Sequence, residues 1–185
     1  MNSLKGIGLL DANVIYPAPL RDFLLRLAIE NMYEPKWTDE ILYEWMENLQ
    51  KNRLDLTVAN LNRTKTLMNE HFPYANVTGY IKHIETLRLP DLNDRHVLAA
   101  AIESGAAFII TNNLKDFPKS KLNEHNIEAI SPDDFVGRLI ETDKDSVLKA
   151  FNKLVDSLKD PPRSKAQVQN SLEKCGLKKS VRLFR

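Results

Sequence analysis

The chain has 185 residues, a net charge of +1 from 26 Lys and Arg against 25 Asp and Glu, and a hydrophobic share of 43%. This length is typical of one domain, or of one domain with an appendage. No apolar run approaches the ~20 residues that a membrane span needs, Asp11 interrupts the short apolar run near the N-terminus, and the single Cys175 excludes an internal disulfide. We therefore expect a soluble cytoplasmic protein without membrane contact.

Hydrophobic periodicity predicts one strand and three helices in the first half of the chain. Residues 5–10 form a short apolar run that ends at Asp11, as a buried strand would. Apolar residues at helical spacing predict amphipathic helices over residues 19–32, 39–50 and 55–71. The stretch 77–90 is ambiguous between helix and extended chain.

Strands and helices alternate in the second half of the chain. The predicted elements are a helix over 94–105 with Gly105 as its C-cap, strands over 106–112 and 127–130, and a helix over 131–142 with Ser131 as its N-cap. The Pro161-Pro162 pair separates a last helical arm. Alternation of this kind predicts an α/β fold, with a parallel sheet covered by helices on both faces.

Two polar residues follow predicted strands at their carboxyl ends. Asp11 comes directly after the first strand, and Thr111 lies near the end of the strand over 106–112. In parallel sheets, sites form beyond the carboxyl ends of the strands. Asp11 is therefore either a simple capping or turn residue, or one part of a charged site whose other parts lie far along the chain.

Asp94 lies on the apolar side of its predicted helix, three residues before Val97 and seven before Ala101. A carboxylate that faces the core is unfavourable unless it is paired, hydrogen-bonded or bound to a metal. The amino end of the helix favours its negative charge. The alternative role is a helix N-cap, a position that Asp fills readily.

Asp116 and Glu44 are weaker candidates. Asp116 precedes a Phe-Pro pair, where Asp is a common turn residue. Glu44 shares one side of its helix with Glu40 and Glu47, which usually indicates a solvated face. Glu44 lies nearest to the apolar stripe, so we expect it alone to lean toward the sheet.

Four converging carboxylates would repel each other unless divalent cations neutralised them. All-oxygen ligands select hard ions, Mg²⁺ or Mn²⁺, over zinc. The histidines have no zinc-binding spacing and are expected to be structural or surface residues, with His96 on the polar side of its helix. A metal site without a built-in nucleophile suits phosphodiester hydrolysis, since the metal lowers the pKa of bound water and orients the phosphate.

These features resemble the PIN domain family, and within it the VapC-like toxins of toxin–antitoxin pairs. The resemblance rests on LLDANVIYP (9–17), TDEILYEWMENL (38–49) and DLNDRHVLAAAIESGAAFIITNNLKDFP (91–118), and it spans roughly residues 5–135. It implies a three-layer α/β/α sandwich with a central parallel sheet in a nuclease domain over residues 1–142. A helical, basic C-terminal extension over residues 143–185 follows, as in a subset of the family.

Position by position, the family's acidic quartet falls on Asp11, Glu44, Asp94 and Asp116, which the resemblance makes catalytic residues and ligands of Mg²⁺ or Mn²⁺. Its supporting positions fall on Asn13, Thr111, Asn113 and Asp91. The resemblance implies an endoribonuclease that acts as the toxin of a type II toxin–antitoxin pair. Many bacterial members dimerise and are silenced by a small antitoxin, so RNA, an antitoxin and a second copy are the expected partners.

Other functions are open at this stage. A haloacid dehalogenase-type phosphatase needs a second carboxylate two residues after Asp11, where this chain has Asn13. A phosphorylation-receiver domain needs paired acids at the first strand, and none are visible there. A non-catalytic PIN-like module for RNA binding or scaffolding would be marked by loss of one acid of the quartet, and all four are present. Cleavage of DNA instead of RNA is a further alternative.

The end of the chain is basic. Residues 163–185 hold seven Lys and Arg against Glu173 alone, a local net charge of +6, which leaves −5 on the rest of the chain. Such a tail can bind a phosphate backbone. It can equally fold back on the acidic body, and the sequence leaves both roles open.

Overall fold

The computed structural model describes residues 6–184, and a four-stranded parallel sheet lies at its centre. The strands are β1 (Ile7–Leu10), β2 (Glu34–Lys36), β3 (Phe108–Ile110) and β4 (Glu128–Ile130). They are ordered β2-β1-β3-β4, and Leu10 of β1 lies opposite Ile110 of β3. Every pair of neighbouring strands is parallel, which confirms the sheet predicted from the alternating elements.

Helices connect the strands and cover both faces of the sheet. Within the described residues the α-helices are α1 (Ala12–Ile15), α2 (Ala18–Ile29), α3 (Asp39–Asn52), α4 (Val58–His71), α5 (Ile81–Ile84), α6 (Arg95–Ser104), α7 (Lys119–Leu122), α8 (Pro132–Ser157) and α9 (Lys165–Lys174). Short 3₁₀ turns cover Leu92–Asp94, Leu114–Asp116, Asn123–His125 and Ser180–Phe184. The predicted three-layer α/β/α sandwich is confirmed. No helix between residues 6 and 184 is both long and apolar enough to cross a membrane.

Short polar signals set several helix ends. The side chain of Thr38 accepts a hydrogen bond from the Ile41 nitrogen at 3.0 Å, and that of Ser131 accepts one from the Asp134 nitrogen at 3.1 Å. The N-cap predicted at Ser131 is thereby confirmed, and Thr38 caps α3 in the same way. Gly105 ends α6 with a φ of 65°, a left-handed conformation that strains other residues.

The strand β2 was missing from the sequence prediction. It is three residues long, lies at the edge of the sheet and has Pro35 at its centre. Proline is tolerated on edge strands because it has no N–H to donate to the ladder. The ambiguous stretch 77–90 contains the short helix α5, and turns or irregular chain form the rest.

The helix α8 extends beyond its predicted end at residue 142. Asp143 interrupts it with non-helical angles, φ −156° and ψ 84°. The Asp143 carboxylate accepts hydrogen bonds from the Ser146 nitrogen at 3.0 Å and from its hydroxyl at 2.7 Å, and so caps the second half of the helix. The domain boundary predicted between residues 142 and 143 thus coincides with a bend in one helix.

The C-terminal arm, which here means the chain from Asp143 onward, folds back on α2. Phe151 and Phe184 pack against Phe23 of α2, with ring centroids 6.5 and 5.6 Å away. At the end of α2, the carboxylate of Glu30 pairs with two lysines of α8. The buried apolar residues of the arm belong to the same continuous core as those of the sheet.

The basic tail is anchored at the start of α8. The backbone nitrogens of Lys179 and Ser180 each donate to the carboxylate of Asp133 at 2.9 Å, and the Lys179 ammonium pairs with Asp134 at 3.1 Å. The side chain of Arg182 is exposed. Hydrogen bonds and an ion pair therefore hold the tail against α8, while part of its positive charge stays at the surface.

Candidate active site

The pairing of β1 with β3 brings together polar residues that lie 100 positions apart in the chain. Asp11, which is 7% exposed, accepts hydrogen bonds at its Oδ2 from the Thr111 hydroxyl at 2.6 Å and from the Asn13 amide at 2.5 Å. The Asn13 Oδ1 in turn accepts from the Asn112 nitrogen at 3.0 Å. These bonds fix the direction of the Asp11 carboxylate at the carboxyl edge of the sheet.

The surroundings of Asp11 make its negative charge unfavourable without a counter-charge. Burial raises the pKa of the Asp11 carboxyl, and the nearby Glu44 carboxylate adds to this effect. The hydrogen bonds from Thr111 and from the Ala12 nitrogen act in the opposite direction without cancelling the rise. A cation beside Asp11 would therefore stabilise the ionised form of this carboxyl.

Asp94 shows the same imbalance more clearly. It stands at the start of α6, but its side chain makes no capping hydrogen bond, so the alternative role as a cap is not what the structure shows. Among residues 6–184, its Oδ2 is buried without a hydrogen-bond partner. Burial, followed by the charges of Asp11, Asp91 and Asp116, raises the pKa of Asp94 to about 6.

The loop after β3 holds the fourth acid. The Asn113 nitrogen donates to the Thr111 hydroxyl at 3.0 Å, and the Asn113 side-chain amide donates to Asp116 Oδ2. Asp91 is exposed and caps the 3₁₀ turn before α6, accepting a hydrogen bond from the Asn93 nitrogen at 2.8 Å. Asp91 and Asp116 thus add negative charge near Asp94, and each accepts a hydrogen bond from a different residue.

Glu44 leans inward from α3, as predicted, but its neighbour was not foreseen. Its Oε1 lies 3.0 Å from Nε2 of His96, and Glu40 Oε2 lies 3.7 Å from Nδ1 of the same ring. His96 is 5% exposed, so its predicted place on the polar side of α6 is wrong. Glu40 is exposed, as predicted, and it also accepts a hydrogen bond from the Tyr80 hydroxyl at 2.8 Å.

The physical reason for this error lies in how α6 packs. The residues of α6 from His96 to Ala101 are all buried, so the helix has hardly any polar face in this stretch. Its apolar spacing predicted one buried side only. No motif in the sequence indicated that His96 would lie between two glutamates of α3.

An open cavity of about 360 Å³ collects most of these groups. Its lining includes Asp11, Asn13, Glu44, Asp94 and Asn113. Asp116 is not among the lining residues, although its charge acts on Asp94. Three acids of the predicted quartet therefore border one cavity, and the fourth lies within electrostatic reach of it.

The donor set fits a hard divalent cation. In the described part of the chain, no three His, Cys, Asp or Glu side chains converge tightly enough to enclose a metal by themselves. Mg²⁺ does not need such a cage, because one or two carboxylates commonly bind it while it keeps several waters. The Oδ2 of Asp94, which has no partner among the described residues, and the fixed carboxylate of Asp11 could serve as ligands of that kind.

Comparisons with known proteins agree with this geometry. A family model described as "PIN domain" matches residues 8–115, and one described as "VapC50 C-terminal domain" matches residues 132–185. The Mycobacterium tuberculosis (strain ATCC 25618 / H37Rv) protein "Putative ribonuclease VapC50" is 41% identical over 69 residues, which cover 37% of this chain and 41% of that protein. The match thus spans less than half of this relative, and no solved structure matches the chain. Because the first model covers more than half of its residues, the chain belongs to the PIN domain family.

Proposed function

We propose that this PIN domain protein is an endoribonuclease that depends on Mg²⁺ or Mn²⁺. One observation carries the proposal: Asp11, Glu44 and Asp94 border a single open cavity, where the Asp94 Oδ2 is buried without a partner in the described part of the chain. The similarity to a Mycobacterium tuberculosis protein named as a ribonuclease supports RNA as the substrate.

Asp11, Asp94 and Asp116 would hold one or two ions, with Glu44 binding through water or orienting the attacking water. A bound ion would lower the pKa of that water and would offset the charge on the scissile phosphate and the leaving oxygen. All of these ligands are carboxylates, so they would remain charged near neutral pH once a cation was present.

The uncharged residues around the acids would act by holding them in place. Thr111 and Asn13 donate to the same oxygen of Asp11, which leaves its carboxylate little rotational freedom. Asn113 links Thr111 to Asp116 and lines the cavity, where it would contact the scissile strand. Positioning of this kind is how a site with no nucleophile of its own contributes to the rate.

Basic side chains would bind the RNA backbone without distinguishing bases. In the C-terminal arm, Arg182 and Lys178 are exposed and available for phosphate contacts. Their contribution should weaken with salt, by a slope of about −0.7 in log K against log salt for each phosphate contact to single-stranded RNA. An affinity for RNA that does not change with salt would contradict this role of the arm.

The protein would act as the toxin of a type II toxin–antitoxin pair in the cytoplasm. Its partners would be the RNA substrate, a small antitoxin that fills the active-site groove, and a second copy in a homodimer. The match of residues 132–185 to the VapC50 C-terminal domain supports this placement among VapC-type proteins. Co-expression with a candidate antitoxin, taken from a short open reading frame if one adjoins its gene, would test it through rescue of growth.

The proposed activity is tested by RNA cleavage with purified protein. Wild-type protein is assayed with Mg²⁺, with Mn²⁺ and with chelator, beside Asp94→Asn. Asparagine keeps the size of the residue and removes the charge, so it separates a metal ligand from a structural residue. Cleavage that chelator and the substitution both abolish would establish the acidic site as the catalytic one.

Two other outcomes would contradict the proposal. Cleavage that survives in Asp94→Asn would mean that the site does not carry the activity. Binding of RNA without cleavage under any metal would favour the second candidate, a PIN-like module that binds RNA or serves as a scaffold. The presence of all four acids argues against that second candidate.

A further inference from the structure

A buried histidine lies beside the acidic cavity and has no role in the function proposed above. His96 is the second residue of α6, two positions after Asp94, and it is 5% exposed. A buried imidazole is expected to have polar partners, because a buried polar group without them is unfavourable. Its partners are therefore the first indication of what it does.

Both ring nitrogens of His96 face glutamates of α3. Nε2 is 3.0 Å from Glu44 Oε1, whereas Nδ1 is 3.7 Å from Glu40 Oε2 and has no hydrogen-bond partner among the residues that the structure describes. A carboxylate only accepts hydrogen bonds, so the nitrogen facing Glu44 carries a hydrogen. The strongest contact of the ring is thus made with the acid that borders the cavity.

The contact restrains a side chain that would otherwise move. The Glu44 side chain is 39% exposed, and within residues 6–184 its carboxylate makes no other ion pair or hydrogen bond. Immobilising a glutamate side chain costs rotamer freedom, so without a fixed partner Glu44 would sample several directions. His96 is fixed by burial in α6, the helix that also presents Asp94.

On the side of the ring away from the cavity, Glu40 is itself held by a hydrogen bond. Tyr80, 9% exposed, donates from its hydroxyl to Glu40 Oε2 at 2.8 Å. Glu40 is thereby held on the side of the ring opposite Glu44. The imidazole is flanked by two carboxylates, of which one is anchored by a tyrosine and the other borders the site.

We propose that His96 is a positioning residue that holds the Glu44 carboxylate toward the divalent-cation site. The proposal rests on the metal-dependent nuclease function above and adds to it the residue that sets the direction of Glu44. His96 touches neither the cation nor the RNA in this role. It acts through Glu44, as a group that orients a metal ligand or a water-binding acid does.

Four substitutions separate positioning from a merely structural role. His96→Phe keeps the ring without a donor, and His96→Asn keeps an amide that is too short to reach Glu44. His96→Gln places an amide nitrogen at about the reach of Nε2. His83→Phe is the matched control, because His83 makes a similar contact with Glu103, at 2.7 Å, outside the site.

The measurement is Mn²⁺ affinity by calorimetry on purified, chelator-stripped protein, with thermal unfolding recorded alongside. We expect His96→Phe and His96→Asn to bind Mn²⁺ about 10-fold more weakly, in the range that second-layer partners of metal sites show. His96→Gln should recover most of the loss, and His83→Phe should bind like wild type. In a Glu44→Gln background, His96→Phe should cause no further loss, because the residue that it orients is already gone.

Steady-state kinetics supplies a second measurement. For RNA cleavage at saturating Mn²⁺, kcat should fall in His96→Phe while KM for RNA stays unchanged, since RNA contacts are not altered. Unchanged Mn²⁺ affinity in both His96→Phe and His96→Asn would overturn the role of His96 and leave the nuclease proposal intact. Wild-type protein that binds no Mn²⁺ would overturn the metal site itself, and the role of His96 with it.

Discussion

The acidic cavity should destabilise the metal-free protein, and Asp94→Asn should relieve this. Asp94 has its pKa raised from an ordinary 3.8 to about 6, first by burial and then by the charges of Asp11, Asp91 and Asp116. Each pKa unit corresponds to 1.36 kcal/mol, so the charged form would cost about 3 kcal/mol at most. Solvent reaches part of the side chain and screens these charges, so we expect about 1–2 kcal/mol.

The dependence on pH follows from the direction of the shift. Because the folded-state pKa lies above the unfolded one, the penalty is absent below the unfolded pKa of about 3.9. It grows as the pH rises from there to about 6 and is fully present above that value. Asp94→Asn should therefore be more stable than wild type at pH 8 and equal to it near pH 4.

The assay is thermal or urea unfolding in the presence of chelator at the two pH values. For a protein of this size, 1–2 kcal/mol corresponds to a rise in Tm of about 2–8 °C at pH 8. The matched control is Asp39→Asn at the start of α3, where hydrogen bonds from Lys65 and Asn76 lower the pKa of the carboxyl. That control should lose stability at pH 8. Equal or lower stability of Asp94→Asn at pH 8 would refute the electrostatic reasoning, because it would mean that the carboxylate stabilises the fold.

Three further substitutions test how the arm and the helix ends stabilise the fold. Phe151→Ala empties a site that is 2% exposed between α8 and α2, so unfolding free energy should fall by about 3–5 kcal/mol in urea titrations. Glu30→Gln removes pairs with Lys149 at 2.8 Å and Lys153 at 2.6 Å, which lower the pKa of Glu30. This substitution should lower the free energy of unfolding by about 1 kcal/mol, with the full effect at pH 7. The effect should disappear as the pH falls below about 4, since the two pairs stabilise only the ionised carboxylate. Gly105→Ala forces a side chain into left-handed backbone and should lower stability by about 1 kcal/mol in thermal unfolding.

Each of these effects has an outcome that would contradict its cause. A Phe151→Ala protein of unchanged stability would show that the arm does not pack on α2 in solution. A Glu30→Gln loss that persists at pH 3 would point to packing instead of charge. For Gly105→Ala, Gly137→Ala in the helical part of α8 is the control, and it should not lose stability because nothing lies within 4 Å of the added carbon.

The central sheet was predicted best where its strands are short local runs of apolar residues. The polar residues that end those runs were predicted with them. The buried runs that became β1 and β3 ended at Asp11 and next to Thr111, and the parallel pairing of those strands did the rest. Gly105 and Ser131 were predicted correctly because helix caps depend on a few adjacent residues. The catalytic and ligand roles of the acids are still predictions.

The sequence failed where tertiary packing decided the outcome. The edge strand around Pro35 has no apolar run, and its pairing with β1 is what makes it a strand. The apolar spacing of α6 predicted a helix that packs on one side only, with His96 on its polar face. The buried part of α6 is instead covered on more than one side. The contacts of His96 with α3 depend on how two helices meet, and no local pattern records that.

The bend at Asp143 lets the two segments of α8 pack in different places, so the chain cannot be cut there without loss of packing. The segment of α8 before the bend packs Phe135 against Tyr33 and Phe108 near the sheet, with ring centroids 5.0 and 5.8 Å away. The segment after it places Phe151 on α2. One helix thus belongs to two layers of packing, and a truncation at residue 142 would expose the apolar side of α2 to water. The arm is accordingly a part of the folding unit that carries the acidic cavity. Its loss would lower the stability of the whole domain, independently of any effect on partner binding.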